Sequence, residues 1–163
     1  MKFFISILFT SLFLVSPRLS EVRKNYVVAV NDKEVAFQLN EELSKINKQD
    51  EKILVAYKGS VLTLMAKFAN STKEKKTFFK EGATLLEYAV SEDPNNIEIR
   101  YIRLSVQENA PKVVGYRKNK EEDKQYILDH FSEVSSNELK GLIKGFVMQS
   151  NAFTEAEKQL IKI

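Results

Sequence analysis

The chain has 163 residues, 44% hydrophobic and 29% charged, with 5 Gly and 3 Pro, a balance that excludes collagen-like, Pro/Gly-rich and acidic disordered classes. It has no Cys, no Trp and a single His, which excludes disulfides, thiolate metal sites and any site built on two imidazoles. The formal net charge of +3 raises the question of an acidic partner.

Met1-Lys2 is followed by Phe3 to Val15, where only Ser6, Thr10 and Ser11 are polar, and then by Ser16-Pro17-Arg18-Leu19-Ser20. That order matches the charged and apolar regions of a secretory leader. Thirteen helical residues rise about 20 Å, short of the roughly 30 Å hydrocarbon core, so a stable span is disfavoured. Pro17 stops any helix that would continue. No A-x-A site is present, and Ser16 and Ser20 are the small residues available for cleavage. The expectation is a signal peptide over 1–20 and a single helical domain over 21–163, exported to the periplasm or the medium of a bacterium. Losing Lys2 and Arg18 leaves 23 basic against 22 acidic residues, a charge of +1. Nucleic acid is therefore not expected as a partner, nor is a transmembrane span in the mature chain. With no Cys, a lipoprotein anchor is also excluded.

From Glu21 onward the apolar spacing is helical. Val22–Val30 is a short helix with Tyr26 and Val30 on one face. Asn31-Asp32 caps the next, where Val35, Leu39, Leu43 and Ile46 recur at helical spacing. Lys48–Lys52 reads as a loop, and Ile53–Phe68 as a central helix with Leu54, Tyr57, Val61, Leu64, Met65 and Phe68 in a broad stripe. Ser71 with Glu74 has capping-box spacing ahead of a helix over Thr77–Val90. Asp93-Pro94 breaks that helix and can open the next, since Pro suits the first helical position. Ile97–Glu108 follows and ends at Asn109-Ala110-Pro111. Residues 112–119 read as an extended loop. Glu121–Phe131 is a charged helix with Tyr126, Ile127 and Phe131 inside. Ser135 with Glu138, and Thr154 with Glu157, give two more capping boxes, before Leu139–Met148 and a terminal helix to Ile163. Tyr26–Val30 and Ile97–Tyr101 are the only stretches that also suit a strand. The predicted fold is all-α, about seven helices in antiparallel hairpins.

Gly82, Leu86, Ala89 and Pro94 fall at offsets of four, three and five. This spacing resembles the second helix of a tetratricopeptide repeat, with Gly82 where the family usually has Ala and Leu86 where it usually has an aromatic. The resemblance is one half-motif and implies an irregular TPR-like hairpin, not a full repeat array. Tyr57-Lys58-Gly59, the run Glu98 to Pro111, and Gly115-Tyr116 resemble a small uncharacterised family of exported helical proteins from Bacteroidetes-type bacteria. That likeness implies export and helices and supplies no activity.

On a helix, Arg100, Arg103 and Gln107 share one face at i, i+3, i+7, opposite the rows Ile99/Ile102/Val106 and Ile97/Tyr101/Leu104. Two guanidiniums one turn apart can hold a carboxylate or phosphate bidentately. Alternatively they pair with Glu121, Glu122, Asp123 or Asp129 of the neighbouring helix. His130, beside Asp129, lacks the further ligands a zinc site needs and reads as a capping or solvated residue. No zincin, nucleophile-elbow, P-loop or dinucleotide-binding motif occurs, so no metal ligand, cofactor or catalytic residue is assigned. Lys73, Lys75, Lys76 and Lys80 around Phe78-Phe79, and Arg117, Lys118, Lys120 and Lys124, form two basic clusters. Glu74, Glu81, Glu121, Glu122 and Asp123 lie among them and are expected to cancel most of their field. Gly141 and Gly145 are expected to let their helix pack closely against another. Helical hairpins present grooves to other proteins, so the expectation is an unknown protein partner and a binding or structural role in the cell envelope. Arg100, Arg103, Gln107 and Tyr116 are its candidate contact residues. The alternative is an enzyme using carboxylates, Tyr116 and the arginine pair near 97–117. The oligomeric state is not legible.

Overall fold

The computed structural model describes residues 17–161, and the apolar leader segment, Phe3–Val15, lies outside them. Eight α-helices and no strand occur among the described residues. They are α1 (Leu19–Ala29), α2 (Lys33–Glu42), α3 (Lys52–Phe68), α4 (Thr72–Glu92), α5 (Ile97–Asn109), α6 (Lys120–His130), α7 (Asn137–Gln149) and α8 (Glu155–Leu160). The count is eight against the about seven expected, with one α-helix in each of the eight segments read as helical. α1 starts inside the segment expected to be leader: Leu19 packs on the core, and the Arg18 carbonyl accepts from the amides of Glu21 and Val22.

Asp32 caps α2 by accepting from the amides of Glu34 and Val35, and Ser71–Glu74 and Thr154–Glu157 close as capping boxes. Three local readings are corrected. Asn96, not Pro94, opens α5, because its side chain can accept from the Glu98 and Ile99 amides while Pro94 stays in the turn. Ser136, not Ser135, caps α7, and the Glu138 carboxylate is drawn away to Arg23. Residues 112–114 form a 3₁₀ turn, not an extended loop, closed by Gly115 at φ 67°, a left-handed conformation that glycine adopts without strain.

Neighbouring helices pack as antiparallel hairpins. α1 pairs with α2 and both lie on α3. α3 and α4 make the most extensive pair, joined by the short turn Ala69–Ser71. Their closest approach is Gly59 against Gly82, each about the same number of residues from the turn, which is the register of an antiparallel pair. A Cβ on Gly59 would lie 2.7 Å from the Gly82 carbonyl oxygen. Leu86 and Ala89, one and two turns on, are fully buried. Gly141 and Gly145 do the opposite of what was expected: no atom lies within 4 Å of a Cβ built on either, because α7 packs through Ile143 and Val147 on its other face.

α5 is the centre of the fold. Every residue from Glu98 to Gln107 is buried, and the helix touches α3, α4, α6 and α7. Ile99, Ile102 and Leu104 join the continuous core, while its charged residues face other helices and not water. The inner face of α6 is the one expected except at Tyr126. Ile127 and the following Phe131 are buried, but Tyr126 is only half-buried, donating to the Asn95 carbonyl at 2.7 Å, and Asp123 is buried beside them.

Candidate functional site

Asn96 fixes the start of α5 and so aims Arg100 and Arg103, one turn apart, at the first turn of α6. Arg103 is clamped bidentately by Asp123, with Nε donating to Oδ2 at 2.7 Å and Nη2 to Oδ1 at 2.6 Å. Its Nη1 donates to Glu87 of α4 at 3.1 Å. Arg100 donates from Nη1 to Asp123 Oδ1 at 3.0 Å and to Glu122, and from Nε to the Pro94 carbonyl at 2.9 Å. Its guanidinium also lies 5.2 Å from the Tyr126 ring centre. Tyr116 donates to the other Glu87 oxygen and meets Phe79 edge-on with ring centres 5.8 Å apart.

Three of the four candidate residues thus belong to one network, with Tyr116 joined to Arg103 through Glu87. Both arginines take carboxylates of α6, Glu122 and Asp123, and Arg103 takes one from α4 as well. The Asp123 side chain is 0% and the Arg103 side chain 3% exposed, so an incoming carboxylate or phosphate would have to displace Asp123 to reach the guanidinium. Burial pushes the Asp123 carboxyl up, and Arg103 and then Arg100 pull it back down. Burial also lowers the affinity of Arg103 for its proton, but the hydrogen bonds and charge of Asp123 outweigh it and leave the guanidinium more basic than usual. Glu122 is held below the usual carboxylate range by the amide of Asn119 and by Arg100. Burial, and then Glu87, raise Tyr116.

Gln107 stands apart: it is 1% exposed and its Oε1 has no hydrogen-bond partner. A buried, unmatched carbonyl costs about 1–3 kcal/mol. Gln107→Met keeps the shape and removes that oxygen, so it is expected to raise stability by about 1 kcal/mol in urea unfolding.

A second buried network went unread in the sequence. Glu98 accepts from Arg23 Nε at 2.8 Å and Nη2 at 2.6 Å and from the Tyr57 hydroxyl at 2.8 Å, while Arg23 Nη1 reaches Glu138 at 3.0 Å. One carboxylate thereby links α1, α3, α5 and, through Arg23, α7. Burial raises Tyr57, and the Glu98 charge raises it further; the hydrogen bond to Glu98 is the largest cause that raises Arg23. Tyr26 donates to Ser105 Oγ at 3.0 Å, which donates to the Ile102 carbonyl at 2.8 Å. The one signal for this network was Arg23 lying between the inward residues Val22 and Tyr26.

His130 Nδ1 lies 3.0 Å from the Tyr126 carbonyl, and its ring stacks on Tyr126 at 4.1 Å, a helix-terminal arrangement. No group of three His, Asp or Glu able to hold a metal occurs among the described residues. Two depressions open the surface elsewhere. One follows α3 and α4 past Lys58, Leu62, Lys80, Glu81 and Leu85; the other lies among Arg117, Lys118, Lys120 and Lys124. Neither contains Arg100, Arg103, Gln107 or Tyr116. No family model, curated protein or solved structure matches the chain.

Proposed function

We propose that this chain is an exported protein of the bacterial cell envelope whose α3–α4 hairpin, tetratricopeptide-like in its Gly82–Leu86–Ala89–Pro94 spacing, binds another protein. The observation that carries this reading is the open groove along that hairpin. Apolar Leu62 and Leu85 line it together with charged Lys58, Lys80 and Glu81, the mixed composition of a protein-binding surface. The buried arginine networks support it indirectly, because they brace α4 against α5 and α6 and so hold the outer face of the hairpin rigid. In this reading Arg103 and Tyr116 serve the partner site by positioning α4 through Glu87, with Arg100 bracing α6 beside them, and Gln107 has no part in it. Residues 1–20 supply the export signal in this reading.

The test is affinity capture from envelope extract with the wild-type chain and with Thr84→Arg, an exposed position lining the groove. The expected outcome is a partner bound by the wild type and weakened about tenfold or more by the variant, whose melting temperature stays unchanged. Identical capture by both proteins removes the groove from consideration.

A further inference from the structure

The two basic clusters are brought together in space by the contact of Phe79 with Tyr116. On α4, Lys73, Lys76, Lys80 and Glu87 recur at i, i+3, i+7, i+14, one row of the helix. Glu87 in that row holds Tyr116, so the three lysines run along the side of α4 that faces the 112–117 turn. At the tip of that turn, Val113 is 91% and Val114 41% exposed. Val113 is four residues from Arg117, at most about 14 Å of chain. Arg117, Lys118 and Lys120 line the depression at the start of α6.

The acids expected to cancel this field are largely engaged. Asp123 is buried against Arg103, Glu122 is held by Arg100, and Glu121 pairs with Lys124 at 2.8 Å. Glu74 is turned back onto Ser71, and Glu81 alone of the five stays exposed without a pair, beside Lys80. Among the described residues, Lys73, Lys76, Lys80, Lys112, Lys118 and Lys120 make no ion pair.

We infer that the Val113-Val114 tip, with the lysines flanking it, docks this protein on an anionic phospholipid surface. Peripheral attachment needs two signals, a small apolar insertion and a basic patch, and this face supplies both. Two exposed valines are too little apolar surface for a stable protein interface but are suited to entering the acyl boundary. Nucleic acid is disfavoured because the one aromatic of the turn, Tyr116, is taken by Phe79 and Glu87 and cannot stack on bases. The inference goes beyond the protein-binding reading and stands without it: the two share Lys80 at their border, but the valine tip, Lys118 and Lys120 lie outside the groove.

The full chain has no Cys, so Val113→Cys gives a single thiol for a polarity-sensitive fluorophore. The expected result is a blue-shifted, brighter emission on adding phosphatidylglycerol vesicles and none with pure phosphatidylcholine. A label at Val27→Cys, a half-exposed valine on α1, is expected not to change. The reporter reads the turn itself, so any affinity of Phe3–Val15 for lipid does not enter. Lys118→Ala and Lys120→Ala are each expected to weaken vesicle binding about fivefold, with unchanged melting temperature, and salt is expected to reverse it. The inference is overturned if the Val113 label ignores phosphatidylglycerol vesicles or responds equally to phosphatidylcholine. It is overturned too if heparin or RNA binds as tightly and competes with the vesicles, which would make the face a general polyanion surface.

Discussion

Asp123→Ala is expected to lower stability by about 3–5 kcal/mol, among the largest effects of any single substitution in this chain. The reason lies in what it strands. Arg103 would keep only Glu87 and the more distant Glu122, and Arg100 only Glu122 and the Pro94 carbonyl, while both stay inside the protein. The loss is not a measure of what the ion pairs contribute, because removing one partner leaves uncompensated charge in a low-dielectric site. A second protein separates the two. Combining Asp123→Ala with Arg100→Met and Arg103→Met removes the stranded guanidiniums and is expected to recover most of the stability. Urea unfolding of the single and triple variants, at equal m-values, decides the matter. If the single variant loses less than about 1 kcal/mol, the network does not brace α4, α5 and α6 as described.

Gly82→Ala and Gly141→Ala are expected to shift stability in opposite directions. In a helix interior alanine is favoured over glycine by about 1 kcal/mol, and at Gly141, where the added Cβ meets open space, that preference is expected to appear nearly undiminished. At Gly82 the added carbon would lie 2.9 Å from Thr63 Cγ2 and 3.0 Å from the Thr63 amide nitrogen, and closer still to the Gly59 carbonyl oxygen. Two of those three atoms are backbone and cannot rotate aside, so α3 and α4 must separate. Overpacking of that kind costs roughly 1–3 kcal/mol and outweighs the helix preference. Thermal unfolding of both variants checks it; a stabilised Gly82→Ala protein would mean that the two helices are not in that contact.

The same pair of glycine sites shows where sequence reasoning succeeds and stops. Gly141 and Gly145 lie at i and i+4 and looked like a close-packing face, whereas Gly59 and Gly82 share no local pattern. What separates them is the neighbouring helix, and periodicity within one segment carries no information about that. Local signals held wherever the partner is nearby in the chain: Asp32, Ser71 and Thr154 cap helices because their acceptors sit two or three residues from the donors. Ser136 displaced Ser135 by one position since both are serines and Glu138 had a better partner in Arg23. The apolar rows of α5 were legible, and so was the spacing of Arg100, Arg103 and Gln107. Their partners on α6, Glu122 and Asp123, were among the four acids the sequence offered, whereas Glu87 of α4 was not, because nothing local shows that a third helix approaches the same row. Glu98 is the extreme case, an acid whose partners are 75 and 41 residues away.

Those separations bear on how the molecule comes apart. In a solenoid each repeat touches only its neighbours, so units can be lost from either end and the remainder stays folded. Here α5 holds α1, α3 and, through Arg23, α7 with Glu98, and α4 and α6 with its arginines, while Glu108 receives Ser150 Oγ at 2.7 Å and the Asn151 amide at 2.7 Å from the end of α7. α1 and the end of α7 are therefore fastened to the same middle helix. Cutting at the Asp93–Asn96 turn would leave Arg23 and Tyr57 buried without their acid in one piece, and Arg103 without Glu87 in the other. The α3–α4 hairpin is thus tied to the rest of the helices through α5, and its stability cannot be apportioned as that of an isolated unit.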